Sequence, residues 1–187
     1  MKPRLNPYQA APEAMKSVAA LDTYVQGSGL EPSLVELIKM RASQINGCAY
    51  CLHMHSRDAR AKGETEERLY LLDAWRESPL YTDRERAALG WTEAVTLVSQ
   101  THVPDDVYDE LRGQFSEEEV VKLTVAIAAI NAWNRIAISF RAVHPVRKPH
   151  AAWRSAGCWP RLRAGPSTDA GVVVRARQAR CRQAGPI

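Results

Sequence analysis

The sequence predicts an all-α fold, and three observations favour it. Apolar residues recur at three- and four-residue steps through most of residues 1–145. The ends of these segments carry helix signals, namely Gly and Pro residues and two capping boxes. The best strand candidate is a run of valines at residues 172–174, which is only three residues long. We therefore expect one compact helical domain.

The first half of the chain carries three predicted helices. They span residues 13–25, 32–45 and 48–62, and a glycine follows each of them. Glycine ends helices readily because it adopts the left-handed backbone conformation without a steric penalty. Pro32 suits the first turn of the second helix. The break at Gly47 therefore joins the second and third helices as a hairpin.

Four more helices are predicted in the second half. A short helix covers residues 69–75 and ends before a proline. Capping boxes open the helices over residues 82–98 and 116–143, and a proline opens the helix over residues 104–111. The last of these segments is long and apolar, so we expect it to be central and buried.

The positive charge of the chain is confined to its C-terminal end. The formal net charge is +4, but residues 1–145 contain 16 basic and 20 acidic residues, whereas residues 146–187 contain 9 and 1. Ala, Arg, Gly and Pro supply 24 of these last 42 residues. We expect residues 1–145 to form the helical domain and residues 146–187 to be an irregular basic tail, disordered or translated out of frame. A nucleic-acid-binding arm is the less favoured interpretation, because the tail has no recognition motif.

Several function classes lack a basis in the sequence. The chain has no Gly-rich phosphate-binding loop, and no stretch approaches the roughly 20 consecutive apolar residues of a membrane span. Its N-terminus leads into polar sequence rather than into the apolar core of a signal peptide. We therefore expect a cytoplasmic protein that binds neither membranes nor nucleic acid and that needs no cofactor and no metal.

The candidate chemistry lies in the predicted hairpin. Cys48 and Cys51 occupy the first turn of the third helix, where unpaired backbone N–H groups and the positive end of the helix dipole stabilise a thiolate. His55 follows Cys51 by four residues and so shares its helix face. Glu36 lies in the second helix and His55 in the third, at comparable distances from the break at Gly47 that joins the two helices. If the hairpin folds back on itself, the carboxylate meets the imidazole.

This arrangement predicts a proton relay to a redox thiol. Glu36 orients or deprotonates His55, and His55 helps to take the proton of Cys51, which attacks a peroxide. The sulfenic acid then condenses with Cys48, and an external dithiol reopens the disulfide. The residues alone leave two alternatives: a zinc site built from the same four side chains, or cysteines that pack as small apolar residues.

Other side chains are candidates for supporting roles. Trp75, Trp91 and Trp133 lie on predicted apolar faces, so we expect them in the core or in subunit contacts. The less favoured alternative is an aromatic side chain near the thiol that shapes an apolar hydroperoxide pocket. Asn134 and Arg135 lie near the middle of the last helix, where they could support the site or an interface.

The motif resembles a known family. The spacing of Glu36, Cys48, Cys51 and His55, within the run NGCAYCLHMH, is similar to that of the AhpD-like alkylhydroperoxidases of the carboxymuconolactone decarboxylase family. The run AWNRI at residues 132–136 is similar to the family's closing helix. The resemblance extends over residues 15–145.

The resemblance implies an all-α homo-oligomer, typically a trimer or hexamer, that reduces a small hydroperoxide. It implies that Cys51 is the peroxidatic cysteine, that Cys48 forms the redox disulfide with it, and that Glu36 and His55 serve the proton relay. It also implies a dithiol reductant, for which a lipoyl-bearing protein is the candidate. Tyr50 stands between the cysteines where the well-studied members have a His.

Two other functions stay open at this point. A non-catalytic redox sensor or disulfide-exchange partner uses the same cysteines, so the sequence does not separate it from the enzyme. The decarboxylase branch of the family is less favoured, because it lacks the cysteine pair that this chain has.

Overall fold

The computed structural model describes residues 2–145. The predicted basic tail, residues 146–187, lies outside the described residues. Residues 2–145 contain no strand, which confirms the predicted all-α class. Their α-helices, in chain order, are α1 (Pro7–Ala10), α2 (Pro12–Gln26), α3 (Pro32–Asn46), α4 (Ala49–Ala61), α5 (Glu66–Leu71), α6 (Asp83–Thr96), α7 (Val98–Thr101), α8 (Asp105–Arg112) and α9 (Glu117–Phe140), and a 3-10 helix, Leu72–Ala74, follows α5.

The hairpin of α3 and α4 forms at the predicted break. Gly47 has φ 68° and ψ 33°, the left-handed conformation, and its N–H donates to the Gln44 carbonyl. The N–H of Cys48 donates to the Ser43 carbonyl at 3.0 Å. A residue with a side chain pays roughly 1–2 kcal/mol for the left-handed conformation, which explains the glycine. Since Cys48 is the next residue and the N-cap of α4, this turn fixes where the first thiol lies.

The long α9 helix runs through the core, as predicted. Its capping box between Ser116 and Glu119 is complete, and it packs against α2, α3 and α6. Among residues 2–145 it is the one helix that is long and apolar enough to cross a membrane by length and composition. Leu123, Ile127 and Ile130 are nevertheless at most 1% exposed, which is the burial expected of a core helix in a globular domain.

Several elements differ from the prediction. The helix expected over residues 69–75 begins earlier, at Glu66, and becomes a 3-10 helix at Leu72. The helix expected over residues 82–98 stops at Thr96, and Val98 begins the separate short helix α7. Helix α9 stops at Phe140, before the predicted limit, because Arg141 adopts the left-handed conformation with φ 55°. Helix α1 has no counterpart in the sequence prediction, since four residues are too few to show an apolar period.

Candidate active site

Cys48 and Cys51 lie at the N-terminus of α4, as predicted. Cys48 is the N-cap residue, and its Sγ accepts the backbone N–H of Cys51 at 3.4 Å. The sulfur takes the place that a Ser or Asp oxygen usually occupies at an N-cap. Both cysteines are free thiols, and they are 1% and 2% exposed. The start of the helix therefore holds two sulfurs together in a buried, electropositive environment.

These surroundings separate the acidities of the two thiols. A hydrogen bond from the Cys51 thiol lowers the pKa of Cys48 from 9.0 to about 7, and the backbone N–H groups of Tyr50 and Cys51 and the Asn134 amide act with it against burial. The same hydrogen bond, together with burial and the charge on Cys48, raises the pKa of Cys51. The pair therefore loses its first proton near neutral pH. Of the two thiols, Cys48 is the more acidic.

A cavity of about 530 Å³ is lined by one of the two cysteines. Cys51 and His55 line this cavity, whereas Cys48 does not. A ligand in the cavity therefore meets Cys51 rather than the more acidic Cys48. The other lining residues are mostly apolar: Pro3, Leu5, Asn6, Pro7, Tyr8, Asp22, Tyr50, Met54, Trp133, Ile136, Ala137, Phe140, Ala142 and Val143.

The tryptophans divide between the core and the cavity. Trp75 and Trp91 are 5% and 7% exposed, which confirms the prediction for them, and their indole N–H groups donate to Glu93 and Thr124. Trp133 packs against the buried cluster that contains Cys48 and Cys51, and it also lines the cavity. It therefore fits the alternative expectation of an aromatic side chain that shapes a pocket near the thiol.

The hairpin brings Glu36 and His55 together, as predicted. Oε2 of Glu36 lies 3.0 Å from Nδ1 of His55, and both side chains are buried. Oε1 of Glu36 accepts Nζ of Lys62 at 2.6 Å. Burial acts to raise the pKa of Glu36, but the hydrogen bonds and charges of His55 and Lys62 outweigh it and lower the pKa. Glu36 is therefore a carboxylate at neutral pH. It contacts Nδ1 of His55 and not Nε2, and His55 also lines the cavity.

Lys62 is a site residue that the sequence analysis did not identify. It is the C-cap of α4 and follows His55 by seven residues, so two helical turns place both on one face. That spacing is the signal that could have found it. Lys39 is closer to Glu36 along the sequence, but it pairs with Asp22 at 2.7 Å.

A buried polar cluster supports the thiols from α9. The Asn134 amide donates to Oγ of Ser43 at 3.1 Å, and its carbonyl accepts Nδ2 of Asn46 at 2.9 Å. Asn46 also donates to Asn131 at 2.9 Å. These contacts tie the end of α3 to α9 and orient the amide that lowers the pKa of Cys48. Asn134 thus supports the site, which is one of the two roles predicted for it.

We expect the reduced protein to titrate one buried thiol near pH 7, because the pKa of Cys48 is lowered to about 7. The measurement is the ultraviolet absorbance of the thiolate against pH, with Cys158 and Cys181 replaced by Ser. Asn134→Ala should raise the midpoint, since one hydrogen bond to the thiolate is lost. A first step at the ordinary thiol value of 9.0 in the unsubstituted site would contradict the assignment.

Within residues 2–145 the candidate metal ligands are Glu36, His55 and Asp58, whose ligand atoms lie within 4.8 Å of one another. Neither thiol belongs to this group, so it differs from the zinc site that the sequence left open. Both oxygens of Glu36 already contact His55 and Lys62. The arrangement therefore favours an ion-paired proton relay over a metal centre.

Comparison with known sequences places the chain among bacterial relatives. Residues 12–94 match the model of the carboxymuconolactone decarboxylase family. The chain is 45% identical over 139 residues to the uncharacterized protein YdfG of Bacillus subtilis, a match that covers 74% of this chain and 95% of YdfG. It is 30% identical over 104 residues to the uncharacterized protein YnjA of Escherichia coli, which covers 56% of this chain and 57% of YnjA.

Solved structures share the same fold. One, from Agrobacterium tumefaciens, is a protein of unknown function provisionally named an antioxidant defence protein AhpD; it is 55% identical with a TM-score of 0.77, and the match covers 78% of this chain and 100% of that one. The debrominase Bmp8 has a TM-score of 0.67 at 23% identity, over 73% of this chain and 74% of Bmp8, and shows the fold alone. By family model, by relatives and by structure, the chain belongs to the carboxymuconolactone decarboxylase family and is AhpD-like within it.

Proposed function

We propose that the protein is a thiol-dependent hydroperoxide reductase that serves antioxidant defence. The observation that carries the proposal is the position of Cys51 and His55 on the wall of one cavity, with Cys48 hydrogen-bonded to Cys51 and Glu36 to His55. The family and the AhpD-like structure from Agrobacterium tumefaciens support an oxidoreductase of this kind.

The first step oxidises Cys51. Its thiolate attacks the terminal oxygen of the hydroperoxide and breaks the O–O bond. Cys51 becomes a sulfenic acid, and the departing alkoxide takes up a proton to form the alcohol. The sulfur loses two electrons, and the hydroperoxide gains them.

Two neighbouring groups handle the protons of this step. Cys48 accepts the hydrogen bond of the Cys51 thiol, so transfer of that proton to a Cys48 thiolate moves the charge onto Cys51. His55 lines the same cavity and donates a proton to the alkoxide as a general acid. Glu36 holds Nδ1 of His55 and so orients the ring for this proton transfer.

Cys48 completes the reaction at the protein. Its sulfur attacks the sulfenic sulfur of Cys51, an S–S bond forms, and water leaves. An external dithiol, for which a lipoyl-bearing protein is our candidate, then reduces the disulfide by exchange. The proposed cycle uses no cofactor and no metal. A trimeric or hexameric assembly, a cytoplasmic location and the absence of nucleic-acid or membrane binding stay predictions.

The test is steady-state consumption of an organic hydroperoxide with dihydrolipoamide as the reductant. We expect sustained turnover by the full chain and none by the double variant Cys48→Ser/Cys51→Ser. Consumption of a single equivalent, with a disulfide formed and no turnover, would identify a redox sensor or disulfide-exchange partner instead. A pair of thiols that hydroperoxide leaves reduced would contradict both functions.

A further inference from the structure

We propose that the N-terminal arm, residues 3–8, determines which hydroperoxides the site accepts, because it forms the apolar wall against which the organic group of a bulky substrate binds. This inference rests on the proposed function, since it concerns the substrate of the same thiol. It gives a role in specificity to residues that no sequence motif singles out.

The arm is held across the end of α9. The backbone N–H of Arg4 donates to the Phe140 carbonyl at 3.1 Å, and its Nη1 donates to the Ser139 carbonyl at 2.9 Å. The last carbonyls of a helix lack partners within the helix and form the negative end of its dipole, which favours a guanidinium there. Asn6 then caps α1 by accepting the N–H of Tyr8 at 3.0 Å. The arm therefore has a defined position rather than a loose one.

The arm and the thiol face the same cavity. Leu5 and Tyr8 line it from the arm, Cys51 and His55 from α4, and Trp133 from α9. Leu5 and Tyr8 are 46% and 59% exposed although both line the cavity. A bound organic group would cover apolar and aromatic surface that these side chains otherwise leave to water, which favours its binding.

The cavity is larger than a minimal peroxide needs. Its volume of about 530 Å³ lies in the roughly 300–1,000 Å³ range of sites for drug-sized ligands. A water molecule, by comparison, has a share of about 30 Å³ in the liquid. Hydrogen peroxide has only two non-hydrogen atoms and no organic group, so it reaches the thiol without using the apolar walls. Removal of the arm's side chains should therefore weaken catalysis on bulky hydroperoxides and spare catalysis on hydrogen peroxide.

The test compares these two substrates in matched variants. Leu5→Ala/Tyr8→Ala removes the arm's wall, and Leu71→Ala/Tyr70→Ala removes the same side chains from exposed positions that do not line the cavity. We expect kcat/KM for cumene hydroperoxide to fall about tenfold or more in the arm variant, with kcat/KM for hydrogen peroxide and KM for the dithiol unchanged. The control variant should change none of them.

A binding measurement separates this inference from the proposed function. Calorimetric titration of the Cys51→Ser chain with cumyl alcohol, the product of cumene hydroperoxide, should give a weaker affinity when the arm substitutions are added. This affinity tests the role of the arm independently of turnover. An intact chain without turnover would reject the proposed enzyme but would leave the role of the arm to the binding measurement. Equal losses for both peroxides, a higher KM for the dithiol only, or an unchanged affinity for the alcohol would overturn the inference.

Discussion

Cys51→Ser is expected to lower hydroperoxide turnover by more than about 10³-fold, because it removes the nucleophile that we propose. Cys51 is the cysteine that lines the cavity, and a serine hydroxyl does not replace a thiolate in attack on oxygen. Cys48→Ser should have a different effect. Cys51 still attacks, more slowly because Cys48 no longer takes its proton. Its sulfenic acid then lacks a sulfur with which to condense, so the reaction stops after one equivalent.

Mass spectrometry after one addition of hydroperoxide and a sulfenic-acid trap such as dimedone distinguishes the two variants. The trapped adduct should lie on Cys51 in the Cys48→Ser chain, with Cys158 and Cys181 replaced by Ser in every sample. The result that would contradict this assignment is found in the Cys51→Ser chain: a trapped adduct on Cys48, together with retained turnover. It would mean that Cys48, whose pKa is lowered to about 7, is the thiolate that attacks.

The second large effect is expected from Glu36→Gln, which keeps the shape of the side chain and removes its charge. Without the carboxylate, His55 loses the charged partner at Nδ1 that orients its ring for proton transfer. Turnover should fall within the range of about 10²- to 10⁴-fold that general acid–base groups contribute. Lys62→Gln is the matched control, because it removes the other partner of Glu36 and keeps the contact with His55. Equal losses in the two variants would contradict a relay through His55.

Glu36 also makes the stability of the chain depend on pH. Burial acts to raise its pKa, but His55 and Lys62 lower it below 4.5 in the folded state. Its contribution to the free energy of unfolding is therefore complete above pH 4.5 and is lost as the pH falls through the lowered pKa. In urea unfolding, the free energy of unfolding of the wild-type chain should exceed that of Glu36→Gln. The difference should be nearly constant around neutral pH and smaller in acid. A difference that grows in acid would contradict the direction of the shift.

Much of the fold was predictable because its signals are local. Pro32 in a first turn, Gly47 at a break and the two capping boxes each act within a few residues of the chain. The boundaries of the hairpin follow from them. The contact of Glu36 with His55 needed one further step, the folding back of two neighbouring helices of similar length.

Contacts between distant segments did not follow from such signals. Arg4 and Ser139 are 135 residues apart, and Asn134 and Ser43 are 91 residues apart. Whether they meet depends on the angle and distance at which α9 crosses its neighbours, and an apolar pattern allows several such packings. The pKa values of the two thiols could not be predicted from the sequence pattern either, because they depend on which sulfur becomes the N-cap acceptor of α4.

The N-cap position of Cys48 also affects the reduction potential of the cysteine pair. A thiolate there accepts the N–H of Cys51 more strongly than a neutral disulfide sulfur can. The pKa of Cys48 is lowered from 9.0 to about 7, first by the Cys51 thiol and in part by the backbone N–H groups at the start of α4. This stabilises the dithiol state in a way that the disulfide does not share. A pair with a stabilised reduced form is a stronger oxidant. The start of α4 therefore raises the potential of any disulfide formed at the site, and a low-potential dithiol reduces that disulfide favourably.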